Sequence, residues 1–279
     1  MILPASYSNG FAPRDGSPLY PSLWRGCVGA WAPCLGPSGL TLRDWSGFGN
    51  HGTLTSMTAA AWTPSGGRYG LLFDGVDDYV PVSTSRFPSG NSALTFSLWF
   101  NPASIGTARP LIGYGRNGTG TWVIVYVDSG GRVVMEFGNG SGSVVGTTVL
   151  VVGRWYHIAA IYDRSQTRIA INGITESSTA YSSANIDVNR DTDSQPIGGI
   201  GSYFTQFATQ VDNGLATERY TSASGSLDDV RIYNRALSAN EIRLLATRPG
   251  IAYEIAPRRR SSSAVQFNRR RRLLLGAQS

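Results

Sequence analysis

Residues 94–100 read LTFSLWF, and this stretch decides the fold class. Successive side chains of a β-strand point to opposite faces of the sheet. One face of this stretch carries Thr95, Ser97 and Trp99. The other face carries the apolar side chains Leu94, Phe96, Leu98 and Phe100. This alternation predicts a strand in a sheet with one buried face.

The chain around this strand has the composition of an all-β protein. Of its 279 residues, 41% are hydrophobic and 15% charged, and there are 34 glycines and 14 prolines. Short apolar runs alternate with turn signals at roughly the 8–12-residue spacing that is typical of sandwiches and barrels. We expect strands at 71–73, 79–82, 94–101, 122–127, 133–137, 156–162, 168–171 and 229–233.

The pattern predicts one short helix and three regions along the chain. Ser238 followed by Glu241 forms a capping box, and Pro249-Gly250 ends the helix. Asn172-Gly173 suits a two-residue hairpin loop. We divide the chain into an extended N-terminal arm at 1–22, a sandwich domain at 23–250 and an Arg-rich tail at 251–279.

Five blocks of sequence resemble the laminin-G-like branch of the concanavalin A-like lectins and glucanases. They follow in family order as LRDWSGFGNHGTL (42–54), GRYGLLFDGVDDYVPV (67–82), LTFSLWFNP (94–102), GRWYHIAAIYD (153–163) and GSLDDVRIYNRALSANEI (225–242). The resemblance implies two antiparallel sheets packed face to face as a jelly roll. The expected fold is therefore an antiparallel β-sandwich with one short C-terminal helix and extended terminal arms. The family includes lectins, protein-binding modules, accessory domains of glycosidases and virion proteins, so the fold leaves the function open.

The residues that glycoside hydrolysis would require are missing from the expected spacing. The resemblance implies that a glycosidase of this fold would carry Glu-x-Asp-x-x-Glu along one strand, with a nucleophile and an acid flanking the bond. None of the five glutamates (136, 176, 218, 241 and 254) has that spacing. Neither His51 nor His157 has a nucleophile beside it in sequence. The sequence therefore predicts a non-enzymatic chain.

The resemblance also implies a structural calcium site. In related domains an Asp of the first loop and an Asp of the Leu-Asp-Asp-Val strand meet, and here the ligands would be Asp44, Asn50 and Asp228. Oxygen ligands from separate segments suit Ca²⁺. Alternatively, the two aspartates cap turns by accepting hydrogen bonds from backbone amides. We interpret Asp74, Asp77 and Asp78 as turn and strand-edge residues rather than as metal ligands.

Sugar binding would require an exposed aromatic platform. Tyr203, Phe204 and Tyr220 lie in a long loop at 201–225, and a surface loop rarely carries aromatic side chains that cover nothing. Tyr114 and Trp122 are further candidates, with core packing as the competing interpretation.

The two cysteines and the termini carry fewer signals. Cys27 and Cys34 are too few for a disulfide framework, so we interpret them as buried thiols. The N-terminus lacks the basic and apolar regions of a signal peptide, and no apolar stretch is long enough to span a membrane.

The basic charge of the chain is concentrated in the tail. Residues 1–250 contain 17 Arg and 17 acidic residues, whereas residues 251–279 contain seven Arg and one Glu. The tail arginines are Arg258, Arg259, Arg260, Arg269, Arg270, Arg271 and Arg272. Arginine pairs well with carboxylate or phosphate, but the tail is short and ends in the apolar residues 273–275. We therefore expect it to anchor the chain on a protein assembly rather than on nucleic acid.

These observations lead to a ranked set of hypotheses. The layout resembles proteins of environmental bacteriophages and planctomycete-like bacteria, and the leading hypothesis is a non-enzymatic virion protein, a capsid decoration or tail-associated subunit. It would stabilise the particle or bind host glycans, with capsid or tail proteins as partners and a homo-oligomer as an option. A free bacterial carbohydrate-binding module, located outside the cell by a non-Sec route, is the alternative. A nucleic-acid-associated protein that uses the tail is a third hypothesis.

Overall fold

The structure is a computed structural model that describes residues 7–8, 12–13, 18–65, 68–84, 86–115, 121–138, 140–187, 198–202 and 222–254. Within these ranges the chain forms eighteen strands and one α-helix, α1 (Ala239–Leu245). The strands are β1 (Tyr7–Ser8), β2 (Ala12–Pro13), β3 (Cys27–Trp31), β4 (Thr41–Leu42), β5 (Gly52–Thr53), β6 (Trp62–Ser65), β7 (Arg68–Asp74), β8 (Val80–Pro81), β9 (Leu94–Pro102), β10 (Arg109–Gly115), β11 (Trp122–Val127), β12 (Arg132–Phe137), β13 (Ser141–Val149), β14 (Tyr156–Tyr162), β15 (Gln166–Ile171), β16 (Ile174–Ala180), β17 (Gly198–Ile200) and β18 (Ser224–Tyr233). Short 3-10 helices lie at Pro21–Trp24, Pro33–Leu35, Ala59–Ala61 and Ile251–Tyr253.

Two antiparallel sheets form the architecture. One sheet has six strands in the order β13-β12-β11-β10-β17-β8. The other has eight strands, seven of them in the order β16-β15-β14-β9-β18-β7-β6, and β3 pairs with β18 beside this path. Two small two-strand pairs, β1-β2 and β4-β5, lie outside these sheets. The predicted all-β sandwich with a single short helix is confirmed.

The main hydrophobic core lies between the two sheets. The apolar face of β9 contributes Leu94, Phe96, Leu98 and Phe100, all at most 1% exposed. Alternate residues of β11 and β12 face them, and these are Val123, Val125, Val127, Val133, Met135 and Phe137. Each such fully buried side chain stabilises the fold by about 1.5–3 kcal/mol.

The other face of β9 is buried as well, so the prediction of a single buried face is wrong for this strand. Thr95 donates a hydrogen bond to the carbonyl of Arg235 at 2.9 Å, and Trp99 donates from Nε1 to the carbonyl of Leu245 at 3.3 Å. A second apolar cluster, built from the 3-10 helices at both ends of the domain and from α1, covers this face. Trp24 links the two ends by donating to the carbonyl of Ala252 at 2.8 Å.

Two local predictions are confirmed in detail. The Ser238 hydroxyl accepts from the Glu241 N–H, and the Glu241 carboxylate accepts from the Ser238 N–H at 2.9 Å, which is the capping box at the start of α1. Asn172 and Gly173 connect β15 to β16 with φ angles of 49° and 84°. Positive φ at both positions is what a type I′ hairpin requires.

The terminal segments meet at one place on the domain. The Leu19 N–H donates to the carbonyl of Glu254 at 2.7 Å, and the residues of the Ile251–Tyr253 helix are buried. The division at residues 22 and 250 stays a prediction. Among the described residues, no helix has the length and apolar character that crossing a bilayer requires.

Candidate functional site

A surface cleft of about 170 Å³ lies beside β6, the edge strand of the eight-stranded sheet. Its walls are mostly apolar and include two tryptophans. The side chains that matter for its chemistry are Leu35, Pro37, Ser38, Arg43, Trp45 and Trp62. Small-molecule sites also combine mostly apolar walls with a few polar groups, but most are larger, at about 300–1,000 Å³.

The loop between the 3-10 helix at Pro33–Leu35 and β4 forms one wall of the cleft. Gly36 and Gly39 have φ angles of 111° and 73°, a backbone conformation that other residues rarely adopt. Trp62 holds this loop by donating from Nε1 to the carbonyl of Gly39 at 2.6 Å. The wall is therefore fixed to the sheet edge by a hydrogen bond from a residue that also lines the cleft.

Trp45 and Arg43 also line the cleft. Trp45 is half-buried, and its ring packs edge-on against Tyr253 with 6.2 Å between ring centroids. Its backbone N–H donates to the carbonyl of Ala30 at 2.7 Å. The guanidinium carbon of exposed Arg43 lies 4.7 Å from the centroid of the Trp45 ring, which is a cation–π contact.

Asp44 and Asn50, two of the predicted calcium ligands, are brought together in the loop that supports Trp45. Asp44 Oδ1 accepts from the N–H groups of Ala30 and Ser46, both at 2.9 Å. Its Oδ2 accepts from the Asn50 N–H at 2.9 Å and from the Ser46 hydroxyl at 2.7 Å. The Asn50 amide donates to the carbonyl of Val28 at 2.9 Å. These bonds fit the alternative in which Asp44 caps a turn.

Asp228, the third predicted ligand, lies in β18 and is fully buried. Its Oδ1 accepts from the N–H groups of Cys34 at 2.9 Å and Asp229 at 2.7 Å. Burial, followed by the charge of Asp229, raises the pKa of the Asp228 carboxyl from 3.8 to about 7. The same bonds also suit a capping residue, and the assignment of calcium to Asp44, Asn50 and Asp228 stays a prediction.

The turn after β7 holds a cluster of three carboxylates. One oxygen from each of Asp74, Asp77 and Asp78 lies within 4.8 Å of the others, so this cluster could hold a metal ion. Asp78 Oδ2 accepts from the Asp74 N–H at 2.8 Å, and Asp74 Oδ1 accepts from the Val76 N–H at 2.7 Å. The predicted role of these residues in a turn is thus compatible with a metal site, which the spacing in DGVDD alone did not reveal.

Cys27 and the histidine of β14 are buried, whereas Cys34 is only partly buried, so the prediction of buried thiols holds for Cys27 alone. Cys27 and Cys34 are free thiols, and burial raises the pKa of Cys27 to about 12. His157 is fully buried, and its Nε2 lies 3.0 Å from the Ser97 hydroxyl. Burial and the nearby charge of Arg231 lower the pKa of His157 to about 3. His157 is therefore a neutral histidine inside the fold.

The aromatic candidates from the sequence do not form a platform in the described residues. Tyr114 is 0% exposed and donates to the carbonyl of Pro88 at 2.9 Å, and Trp122 is 5% exposed. Their competing interpretation, packing inside the fold, is the correct one. The loop aromatics Tyr203, Phe204 and Tyr220 and the tail arginines (258–260 and 269–272) lie outside the described residues.

Sequence reasoning missed Trp45 and Trp62. Trp45 could have been identified from its position directly after Asp44 in the first family-like block. The Asp44 carboxylate accepts hydrogen bonds from the loop that carries the Trp45 ring. Trp62 had no such neighbour, because its place in the cleft depends on pairing between β6 and β7.

A sequence model of the concanavalin A-like lectin/glucanases superfamily matches residues 74–243, which is more than half of the chain. The chain belongs to this superfamily. No curated protein matches the sequence.

Solved structures share the fold of this superfamily member at low sequence identity. Domain 4 of AbnA, a GH43 extracellular arabinanase from Geobacillus stearothermophilus, in complex with arabinotriose, has a TM-score of 0.57 and 15% identity, and the match covers 79% of this chain and 98% of that domain. Trypanosoma rangeli sialidase in complex with 2,3-difluoro-KDN has a TM-score of 0.53 and 18% identity, with 79% of this chain and 32% of the sialidase covered. The chain thus spans about a third of the sialidase chain.

These matches correct the prediction that the chain is non-enzymatic. The structural neighbours are parts of a sialidase and of an arabinanase, so the same fold occurs within glycoside hydrolases. The missing Glu-x-Asp-x-x-Glu spacing was too narrow a criterion, because it considered one arrangement of carboxylates on one strand. At this level of identity the likeness shows the fold alone.

Proposed function

We propose that this chain is a carbohydrate-binding domain and that the cleft receives a sugar ring beside the half-buried Trp45, while Trp62, 6% exposed, holds the cleft wall in place. The observation that carries the proposal is an apolar cleft lined by two tryptophans on a lectin-like sandwich. The C–H groups of a sugar ring pack against aromatic faces, and its hydroxyl groups bond to polar groups at the rim. Ser38 and Arg43 supply such groups in this cleft.

The structural neighbours support this proposal. The arabinanase domain that shares the fold is described in complex with arabinotriose, an oligosaccharide. Carbohydrate binding was the second hypothesis from the sequence. The virion hypothesis, with its protein partners and its location in a particle, depends on the tail, which lies outside the described residues. The match to the lectin superfamily supports glycan binding more directly than assembly.

The outer face of the six-stranded sheet, which carries Tyr126, is the competing location for a sugar. Tyr126 projects from the face of β11 opposite to the core, and its hydroxyl donates to Glu136 at 3.0 Å. Its neighbours on that face, Ile124 and Val134, are 1% and 2% exposed, so this face is less open than the cleft.

A glycan array with the full chain tests the proposal. We expect dose-dependent binding that Trp45→Ala abolishes and that Tyr126→Ala, a matched change of a half-buried aromatic on the other sheet, leaves intact. Thermal unfolding of both variants would confirm that they are folded. Loss of binding in Tyr126→Ala with retention in Trp45→Ala would reject the cleft. The absence of binding to every glycan would reject the function.

For a metal at the Asp74 cluster we propose calcium. Hard carboxylate oxygens suit Ca²⁺, and two of the three side chains are exposed to solvent. We expect millimolar Ca²⁺ to raise the Tm of the chain and Asp77→Asn to remove that increase. Asp44→Asn, which changes the other predicted calcium site (Asp44, Asn50 and Asp228), is the control and should keep the increase in Tm. An equal increase in the Asp77→Asn variant would exclude this cluster.

A further inference from the structure

Arg43 gives the Trp45–Trp62 cleft an unbalanced positive charge. It is the one charged residue in the cleft lining, all of which lies within the described residues. The side chain is exposed, and its guanidinium carbon lies over the Trp45 ring at 4.7 Å. Within the described part of the chain, no acidic side chain forms an ion pair with it.

The neighbouring carboxylate does not neutralise this arginine. Asp44 follows Arg43 in sequence, but its two oxygens accept four hydrogen bonds from Ala30, Ser46 and Asn50. Asp44 is also only 5% exposed, whereas Arg43 is exposed. The guanidinium therefore remains available to a ligand in the cleft.

We propose that this cleft selects an acidic sugar, a residue of the uronic-acid class whose carboxylate pairs with Arg43 while its ring packs against the half-buried ring of Trp45. This inference rests on the proposed function and specifies its ligand. A guanidinium has a planar fork of donors that matches the two oxygens of a carboxylate. Contact with the Trp45 ring restrains the side chain beforehand, so less conformational entropy is lost when the pair forms.

The test is an array of matched glycan pairs. Each uronate-containing oligosaccharide is printed beside its carboxyl-reduced form, which has the same linkages and no charge, and sulfated glycans form a third group. The full chain is compared with Arg43→Gln, Arg43→Lys and Arg154→Gln. Arg154 is a matched control, because it is also exposed and lies over an aromatic ring, that of Tyr156, at 5.5 Å.

We expect the uronate glycans to bind up to about fivefold more tightly than their reduced forms, the effect of one exposed charge pair. Arg43→Gln should remove this preference and Arg154→Gln should not. Arg43→Lys should recover part of it, since lysine supplies the charge without the fork. The preference should also weaken as NaCl is raised from 50 to 500 mM, which is characteristic of an exposed ion pair.

Other outcomes overturn the inference in distinguishable ways. Equal binding of the uronate and reduced forms, or an unchanged preference in Arg43→Gln, rejects the acidic ligand and leaves carbohydrate binding in place. Binding restricted to sulfated glycans rejects the carboxylate. Binding to no glycan of any group rejects both the inference and the proposed function.

Discussion

Arg231 donates from Nε to Oδ1 of Asp229 at 2.8 Å, and the two side chains are 0% and 2% exposed. The other carboxylate oxygen of Asp229 accepts from the Gly250 N–H at 2.9 Å. The guanidinium carbon of Arg231 lies 4.6 Å from the ring centroid of Tyr253 and 4.9 Å from that of Trp24. A buried ion pair on the central strand β18 thus connects the eight-stranded sheet to both terminal segments.

Replacing this arginine should strongly destabilise the domain. Arg231→Met leaves Asp229 buried without its partner, which typically costs about 3–5 kcal/mol. Urea denaturation followed by tryptophan fluorescence measures the change. Arg132→Met is the control, because its pair with Asp128 is exposed and contributes at most about 1 kcal/mol. Equal midpoints for Arg231→Met and the wild type would show that the pair does not stabilise the fold.

Asp228 should make stability depend on pH with an unusual sign. Its pKa is about 7 in the folded chain and 3.8 ordinarily, so the folded state holds a proton that the unfolded state releases. The stabilising contribution of protonated Asp228 is complete below about pH 4. It falls by on the order of 1.4 kcal/mol per pH unit as the pH rises from there to 7. Asp228→Asn keeps a carbonyl oxygen for the Cys34 and Asp229 N–H groups but cannot ionise.

The measurement is the difference in unfolding free energy between the wild type and Asp228→Asn at pH 4.5, 6 and 8. We expect the wild type to lose stability relative to the variant as the pH rises. A constant difference across this range would show that Asp228 titrates normally.

His157 should act in the opposite direction. Its pKa is lowered from 6.5 to about 3, so the unfolded chain binds a proton below pH 6.5 that the folded chain does not bind. This contribution is present above pH 6.5 and is lost as the pH falls towards 3. Between about pH 4 and 6.5 it opposes the effect of Asp228, and His157→Gln should reveal the Asp228 slope at full size. An unchanged pH profile in His157→Gln would mean that the imidazole has the same pKa in the folded and unfolded chain.

Local signals predicted the local parts of this structure well. The Asn172-Gly173 hairpin and the Ser238–Glu241 capping box depend on residues at most three positions apart, so their sequence contains all the necessary information. The alternation in 94–100 likewise identified the face of β9 that enters the main core.

Contacts between distant segments could not be predicted in this way. The second face of β9 is buried because residues far along the chain cover it, as the bond from Trp99 to Leu245 illustrates. The cleft has the same origin, since Trp62 reaches the carbonyl of Gly39 across 23 positions. From the sequence alone, a charged residue such as Arg231 is expected to face solvent. In the structure it is buried, because the second apolar cluster covers that face of the sheet.

The start of α1 provides a last prediction. Arg235 donates to both oxygens of Glu241, at 2.9 Å from Nη1 and 2.7 Å from Nη2, and these bonds lower the pKa of Glu241 to about 2. The stabilisation is therefore present above the ordinary value of 4.5 and is lost as the pH falls through 2. Glu241→Gln keeps a side-chain oxygen for the capping box but loses the charge pair with Arg235, so it should destabilise the domain by about 1 kcal/mol at pH 7 and by much less at pH 2.5. Urea denaturation at the two pH values measures this, with Asp77→Asn, a change of an exposed carboxylate, as the control for a general loss of negative charge. An equal loss at both pH values would indicate that the Glu241 side chain acts through shape rather than charge.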